Sequence, residues 1–288
     1  MGTYKIFVDT SADMPEDLAK KLDIGIIRFM CLFDEVAYET GTELTNEEFY
    51  EKLEKATKIP TTSQTPYQTM YETIKDASDK YDTVIYLTIS SKASGQFNTA
   101  CMVKNQILEE DNKDKDIRIV DTNSFSVYIS AAAVYLKELL DNGMGIDEAL
   151  EKCGEYIRSW QCYILVDTLK YLEKGGRITK TSAIVGSLLD IKPVLTIKDG
   201  LVEPVEKLRG KKKIFKKLVD LIEENENLDK NSKEFMIAHS NKEYKEEAYN
   251  ALKEKFGIEE LKMCLDIGPI VGTHIGPGAL GILFRLKK

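Results

Sequence analysis

Long hydrophobic runs are missing from this chain. No apolar stretch approaches the roughly 18 residues of a membrane-crossing helix, so no membrane span is expected, while transient contact with a membrane surface stays open. Histidine occurs only twice in 288 residues. The two, His239 and His274, lie far apart without ligand spacing, so no metal centre is expected. The five cysteines, Cys31, Cys101, Cys153, Cys162 and Cys264, are odd in number and never form C-x-x-C. That excludes a disulfide framework or a zinc ribbon and fits free thiols in a reducing cytoplasm. The opening residues lack a basic segment followed by an apolar one, so no signal peptide is expected and the localisation reads as cytoplasmic. Ile6 stands where a myristoylation signal has Ser or Thr. Positive charge is in deficit, with 40 Lys and Arg against 48 Asp and Glu and a net charge of −8. Such a field repels phosphate, which argues against nucleic acid as a partner. Also missing are G-x-x-x-x-G-K-[ST], G-x-G-x-x-G and H-E-x-x-H.

What is present is an ordinary globular composition, 43% hydrophobic and 31% charged. The length suggests two domains, placed at residues 1–155 and 156–288. In the first half, strands and helices alternate. Lys5–Val8, Ile24–Leu32, Thr83–Thr88 and Ile117–Val120 read as apolar or β-branched strands. Helices are expected after Pro15, after a Thr45/Glu48 capping box, after Ser94, and over Ser130–Leu140. That alternation implies a mostly parallel sheet covered on both faces. The second half is mixed α/β. Strands are expected at Tyr163–Val166, Phe235–Ala238, Leu261–Leu265 and Ala279–Leu286. Helices are expected at Leu169–Glu173, Ser182–Leu189, Lys211–Glu224 and Lys242–Phe256. Asp199-Gly200 between two β-rich runs predicts a hairpin.

Three first-half strands end in small polar groups: Asp9-Thr10-Ser11, Ser90-Ser91 and Asp121-Thr122. Ligands of parallel sheets bind outside the carboxyl ends of strands. The same residue types also cap helices and close turns for purely local reasons, but their recurrence along one edge points to a ligand crevice. Thr61-Thr62-Ser63-Gln64-Thr65-Pro66 reads either as a capped loop or as a set of hydroxyl donors. Ser94-Gly95 opens a helix, where backbone N–H groups favour an anion. The densest signal is Gly268 to Gly281, which holds five glycines and His274. A histidine in such a loop has little core to satisfy, which favours a binding role. Lys207, Arg209, Lys211, Lys212, Lys213, Lys216 and Lys217 form a basic cluster, either a solvated face or a docking patch for an acidic partner.

Together these blocks resemble the DegV family, the fatty-acid-binding proteins that serve a bacterial two-component fatty acid kinase. The resemblance runs nearly end to end. It covers Phe7-Val8-Asp9-Thr10-Ser11-Ala12-Asp13, Thr62-Ser63-Gln64, Ser94-Gly95, Leu169 to Ile178, Ile191-Lys192-Pro193-Val194-Leu195 and the Gly-Thr-His-Ile-Gly-Pro-Gly tail. It implies an α/β fold of two domains, a parallel-sheet N-terminal domain and a mixed α/β C-terminal one, with a long-chain fatty acid between them and no other cofactor. The carboxylate would meet Thr62, Ser63, Ser94, Gly95 and His274. Ile27, Phe29, Ile184 and Leu188 would wall the acyl chain. Arg209 and Lys211 would engage the kinase, which phosphorylates the carboxylate while this chain, with no catalysis of its own, presents it. Departures from the pattern are Arg28 in place of a frequent proline, the Lys92-Ala93 and Gln96-Phe97-Asn98 variations, and Lys211 in place of arginine.

Two readings from other classes stand beside this one. A serine hydrolase would use Ser94 with His274 as base, although no acidic third member and no G-x-S-x-G elbow is present. A DNA-binding regulator would use the lysines from Lys211 to Lys217, against the overall charge.

Overall fold

A computed structural model describes residues 2–111, 115–178, 191–210 and 213–287. The expected Ser182–Leu189 helix, with Ile184 and Leu188, and Lys211 and Lys212 lie outside the described residues. The chain divides into two compact units. One is Met1–Ile157 with Gly268–Ile270, and the other is Arg158–Ile267 with Val271–Lys288.

In chain order the first unit contains β1 (Tyr4–Asp9), α1 (Glu16–Lys21), β2 (Ile24–Ile27), β3 (Met30–Phe33), β4 (Val36–Glu39), α2 (Asn46–Lys55) and β5 (Thr61–Ser63). It continues with α3 (Tyr67–Lys80), β6 (Thr83–Thr88), α4 (Gln96–Glu110), β7 (Asp116–Asp121), α5 (Val127–Asp141) and α6 (Ile146–Arg158). Four strands form a parallel sheet in the order β2-β1-β6-β7. Every residue of β6 is buried, as a strand covered on both faces requires. The period of two sorts the side chains. Ile6, Val8, Ile85 and Leu87 pack with α5 residues such as Ala132 and Leu136. Phe7, Val84 and Tyr86 pack with Met70 and Ile74 of α3 and Val103 of α4. The capping box forms as the sequence predicts, with the Glu48 N–H donating to Thr45 Oγ1 and the Glu48 carboxylate accepting from the Thr45 N–H.

Two expectations from the sequence do not hold. The Ile24–Leu32 run is not one strand. It breaks at Arg28-Phe29, where Arg28 turns out to Glu16 and to the Thr40 carbonyl, and the Phe29 N–H donates to Thr10 Oγ1 rather than to a neighbouring strand. Its second half, β3, enters a separate antiparallel sheet of order β4-β3-β5. Thr61–Ser63 is not a loop but the edge strand β5, with Thr62 opposite Cys31.

The second unit contains β8 (Trp160–Leu165), α7 (Lys170–Gly175), β9 (Ile191–Lys198), β10 (Leu201–Arg209), α8 (Ile214–Glu223), β11 (Phe235–His239), α9 (Lys242–Phe256), β12 (Met263–Asp266), α10 (Pro269–Ile275) and β13 (Leu280–Arg285). By contacts, the first residues of α10 group with the first unit. The six strands form a mixed sheet, β10-β9-β8-β13-β11-β12, parallel only between β11 and β12. The β9–β10 hairpin turns at Asp199 and Gly200, both at positive φ (50° and 79°), the conformation a two-residue hairpin turn demands. One face packs on α8 and α9 through Leu218, Ile222, Ala248 and Leu252.

Candidate binding site

In the first unit the carboxyl ends of the parallel strands gather the polar residues. Asp9 ends β1 and is fully buried. Its carboxylate accepts from the Ser11 N–H (3.0 Å), the Ser11 hydroxyl, the Ile89 N–H (2.9 Å) and the Tyr86 hydroxyl (3.4 Å). Burial pushes its pKa up to about 6, against the opposing pull of those donors. Tyr86 lies in the middle of β6, and burial followed by the Asp9 charge raises its hydroxyl well above the usual range.

Ser94 is half-buried and Gly95 exposed, at the start of α4. Ser94 Oγ accepts from the Gln96 N–H at 3.3 Å, so the expected helix-start role is met one residue ahead of the N-cap, Gly95. A Cβ on Gly95 would stand 2.8 Å from Gln64 Oε1, so the segment after β5 runs directly against this turn. Thr62, half-buried, and Ser63, exposed, sit on β5. Gln64 Nε2 donates to Thr99 Oγ1 (2.9 Å), and the Thr65 N–H donates to Gln96 Oε1 (3.2 Å). The strand bearing Thr62 and the turn bearing Ser94 are thus brought together. Ile27 and Phe29 are 3% and 2% exposed and belong to separate apolar clusters, Ile27 with Met70 and Tyr86, Phe29 with Val8 and Ile129.

In the second unit His274 is not in a loop, as its Gly/Pro-rich surroundings suggest, but on α10. Pro269 opens that helix, a position where its missing N–H costs nothing. The His274 ring lies over Gly175, the last residue of α7, and a Cβ at Gly175 would overlap Nδ1. Burial, and secondarily the charge of Arg177, lowers the His274 pKa to about 4, so the imidazole is neutral at neutral pH. Gly276, at φ +81°, has the Tyr171 ring where a side chain would go, and Gly278, at φ +75°, has the Asp167 carboxylate there. Asp167 in turn accepts from Lys192 (2.6 Å) and from the Tyr244 hydroxyl (3.0 Å). The glycine-rich tail is therefore a packing requirement as much as a turn signal. Arg209 is exposed at the end of β10, and its carbonyl accepts from Lys217 (2.6 Å).

Sequence reasoning missed Tyr86 and passed over Gln96 as a mere variation. Tyrosine between Ile85 and Leu87 in the apolar middle of the strand was the available signal, because a buried hydroxyl needs a partner. No group of three or more His, Cys, Asp or Glu residues that could hold a metal occurs among the described residues. Among those residues, too, no helix is long and apolar enough to cross a membrane.

A parallel sheet edged with hydroxyls in one unit and a mixed sheet with a glycine-packed histidine in the other define a two-unit α/β protein. The chain belongs to the DegV family. The family model, described as an uncharacterised protein of the DegV family, matches residues 3–287. A DegV domain-containing protein of Clostridium perfringens is 32% identical over 99% of this chain and 98% of its own length. A Thermotoga maritima protein named a fatty acid-binding protein is 30% identical over 96% of both chains. The crystal structure of DegV from Bacillus subtilis, described as a fatty acid binding protein, superposes with a TM-score of 0.84 at 28% identity, covering 100% of both chains. Both named fatty acid binders match this chain nearly end to end.

Proposed function

We propose that this protein binds a long-chain fatty acid and presents its carboxylate to a fatty acid kinase. The observation that carries the reading is the end-to-end match to relatives named as fatty acid-binding proteins. In this reading Thr62, Ser63, Ser94, Gly95 and His274 receive the carboxylate. Neutral hydroxyls, an N–H and an uncharged imidazole hold the oxygens without neutralising them. That leaves one oxygen nucleophilic enough to attack the terminal phosphoryl group of ATP, giving an acyl phosphate and ADP on the partner enzyme. Ile27 and Phe29, both buried in the first unit, and the apolar run containing Ile184 and Leu188 are the proposed walls for the chain. At about 0.8 kcal/mol per buried CH₂, about 14 methylenes contribute roughly 11 kcal/mol before the costs of association. Arg209, an exposed cation in an acidic chain, is the proposed kinase contact, together with Lys211 two residues further along the sequence. The protein itself is a carrier, and its expected place is the cytoplasm. The hydrolase and DNA-binding readings find no supporting observation.

The experiment compares Ser94→Ala, Thr62→Val and Arg209→Glu by titration with palmitate and by acyl phosphate formation with the kinase. Each of the first two removes a donor to the carboxylate and should weaken binding by about 1–3 kcal/mol without unfolding the chain. Arg209→Glu should keep palmitate affinity and lose acyl phosphate formation. Unchanged affinity in both hydroxyl variants would place the head group elsewhere, and a loss of palmitate binding in Arg209→Glu would move that residue into the pocket.

A further inference from the structure

Gln96 is a polar side chain with no exposed surface in the first turn of α4. The neighbouring inward positions Ala100 and Val103 are apolar and equally buried. A buried amide loses its water and is tolerated only where every bond is returned. Gln96 returns them with one set of partners. Nε2 donates to Thr65 Oγ1 (2.9 Å) and to the Tyr86 hydroxyl oxygen (2.8 Å), and Oε1 accepts from the Thr65 N–H (3.2 Å). Rotating the amide by half a turn would set its NH₂ against the Thr65 N–H, so its orientation is fixed.

The direction of the remaining hydrogens follows. Thr65 Oγ1 accepts from Gln96 and therefore donates to the Arg28 carbonyl (2.7 Å). The Tyr86 oxygen accepts from Gln96 and therefore donates to Asp9. One buried chain of donors thus links the turn between β2 and β3, the segment just after β5, α4, β6 and β1. Gln96 stands two residues after Ser94 and bonds twice to a residue three after Thr62. The Gln64–Thr99 bond and the close fit of Gln64 on Gly95 tie the same two segments a second time.

We propose that Gln96 is a positioning residue for carboxylate recognition, fixing the strand that bears Thr62 against the turn that bears Ser94. This rests on the fatty acid reading above. Gln96 itself does not touch the ligand. It sets the separation of groups that do, so its removal weakens recognition of the head group and spares recognition of the acyl chain.

The test measures the affinity of lipid-stripped protein for palmitate and for 1-hexadecanol, which has the same carbon chain and no carboxylate. Gln96→Met keeps the length and removes all three bonds. It should bind palmitate about tenfold more weakly and hexadecanol within about twofold of the original protein. Thr65→Val breaks the same clamp from the other side and reads the same quantity if Gln96→Met does not fold. Equal losses for acid and alcohol would reduce Gln96 to a structural role, and no loss for either would remove the role altogether; both outcomes overturn the proposal. If the unsubstituted protein binds neither probe, the fatty acid reading fails and takes this proposal with it. If it binds palmitate and the variants match it, only the proposal falls.

Discussion

Asp9 and His274 are buried ionisable groups whose effects on stability oppose each other. The Asp9 pKa rises from 3.8 to about 6 on folding. Between those values the folded chain holds a proton that the unfolded chain has released, so stability falls as pH rises through that window. The His274 pKa drops from 6.5 to about 4. Between those values the unfolded chain holds the extra proton, so stability rises with pH. Each effect is on the order of 3 kcal/mol, because a tenfold change in proton affinity is worth about 1.36 kcal/mol. From about pH 4 to 6 the two largely cancel, and replacing one group unmasks the other. Between pH 4 and 6.5 the stability of the original protein relative to His274→Gln should grow by about 3 kcal/mol, read from urea midpoints at each pH. A difference that stays constant over that range would show that His274 is not held neutral by burial.

At the scale of elements, Gly175 decides how α7 meets α10. Helix propensity alone says that Gly→Ala in a helix gains about 1 kcal/mol. The His274 ring occupies the space of the new methyl group, so the steric argument gives the opposite sign. Gly175→Ala should lower stability by about 1–3 kcal/mol and return the His274 titration toward its ordinary value as the ring is displaced. Imidazole NMR in a chain with only two histidines reads this directly. A stabilised variant with an unmoved titration would contradict the packing. Elements of this kind were only partly legible in the sequence. Thr83–Thr88, the Asp199-Gly200 hairpin, the Thr45 capping box and Lys242–Phe256 follow from local chemistry, and the structure has them where local chemistry puts them. The break at Arg28-Phe29 was hidden because it is made by Thr10, Glu16 and Thr40, residues distant in sequence. The strand β5 is three residues long, too short for any period to show. Helix α10 begins at a proline and contains Gly272, so local propensity reads it as loop while tertiary packing makes it helix.

For the whole molecule, the ordered series of motifs carried more than any single one. A hydroxyl pair, a serine-glycine turn or a lone histidine each has an ordinary local explanation. Their order along nearly the full chain identified the family, and the fold agrees, with a parallel sheet in one unit and a mixed sheet in the other. The clamp through Gln96 was not legible, because it joins residues 31 positions apart whose types do not announce one another. The central claim is that the chain carries a fatty acid. Denaturing extraction of protein purified from a bacterial host, with mass spectrometry of the organic phase against protein concentration, tests it most directly. The expected result is a long-chain fatty acid at about one per chain, since an acyl chain gains roughly 0.8 kcal/mol for each methylene it takes out of water. Finding no stoichiometric lipid, and no uptake of added palmitate or oleate by the same protein, would contradict it.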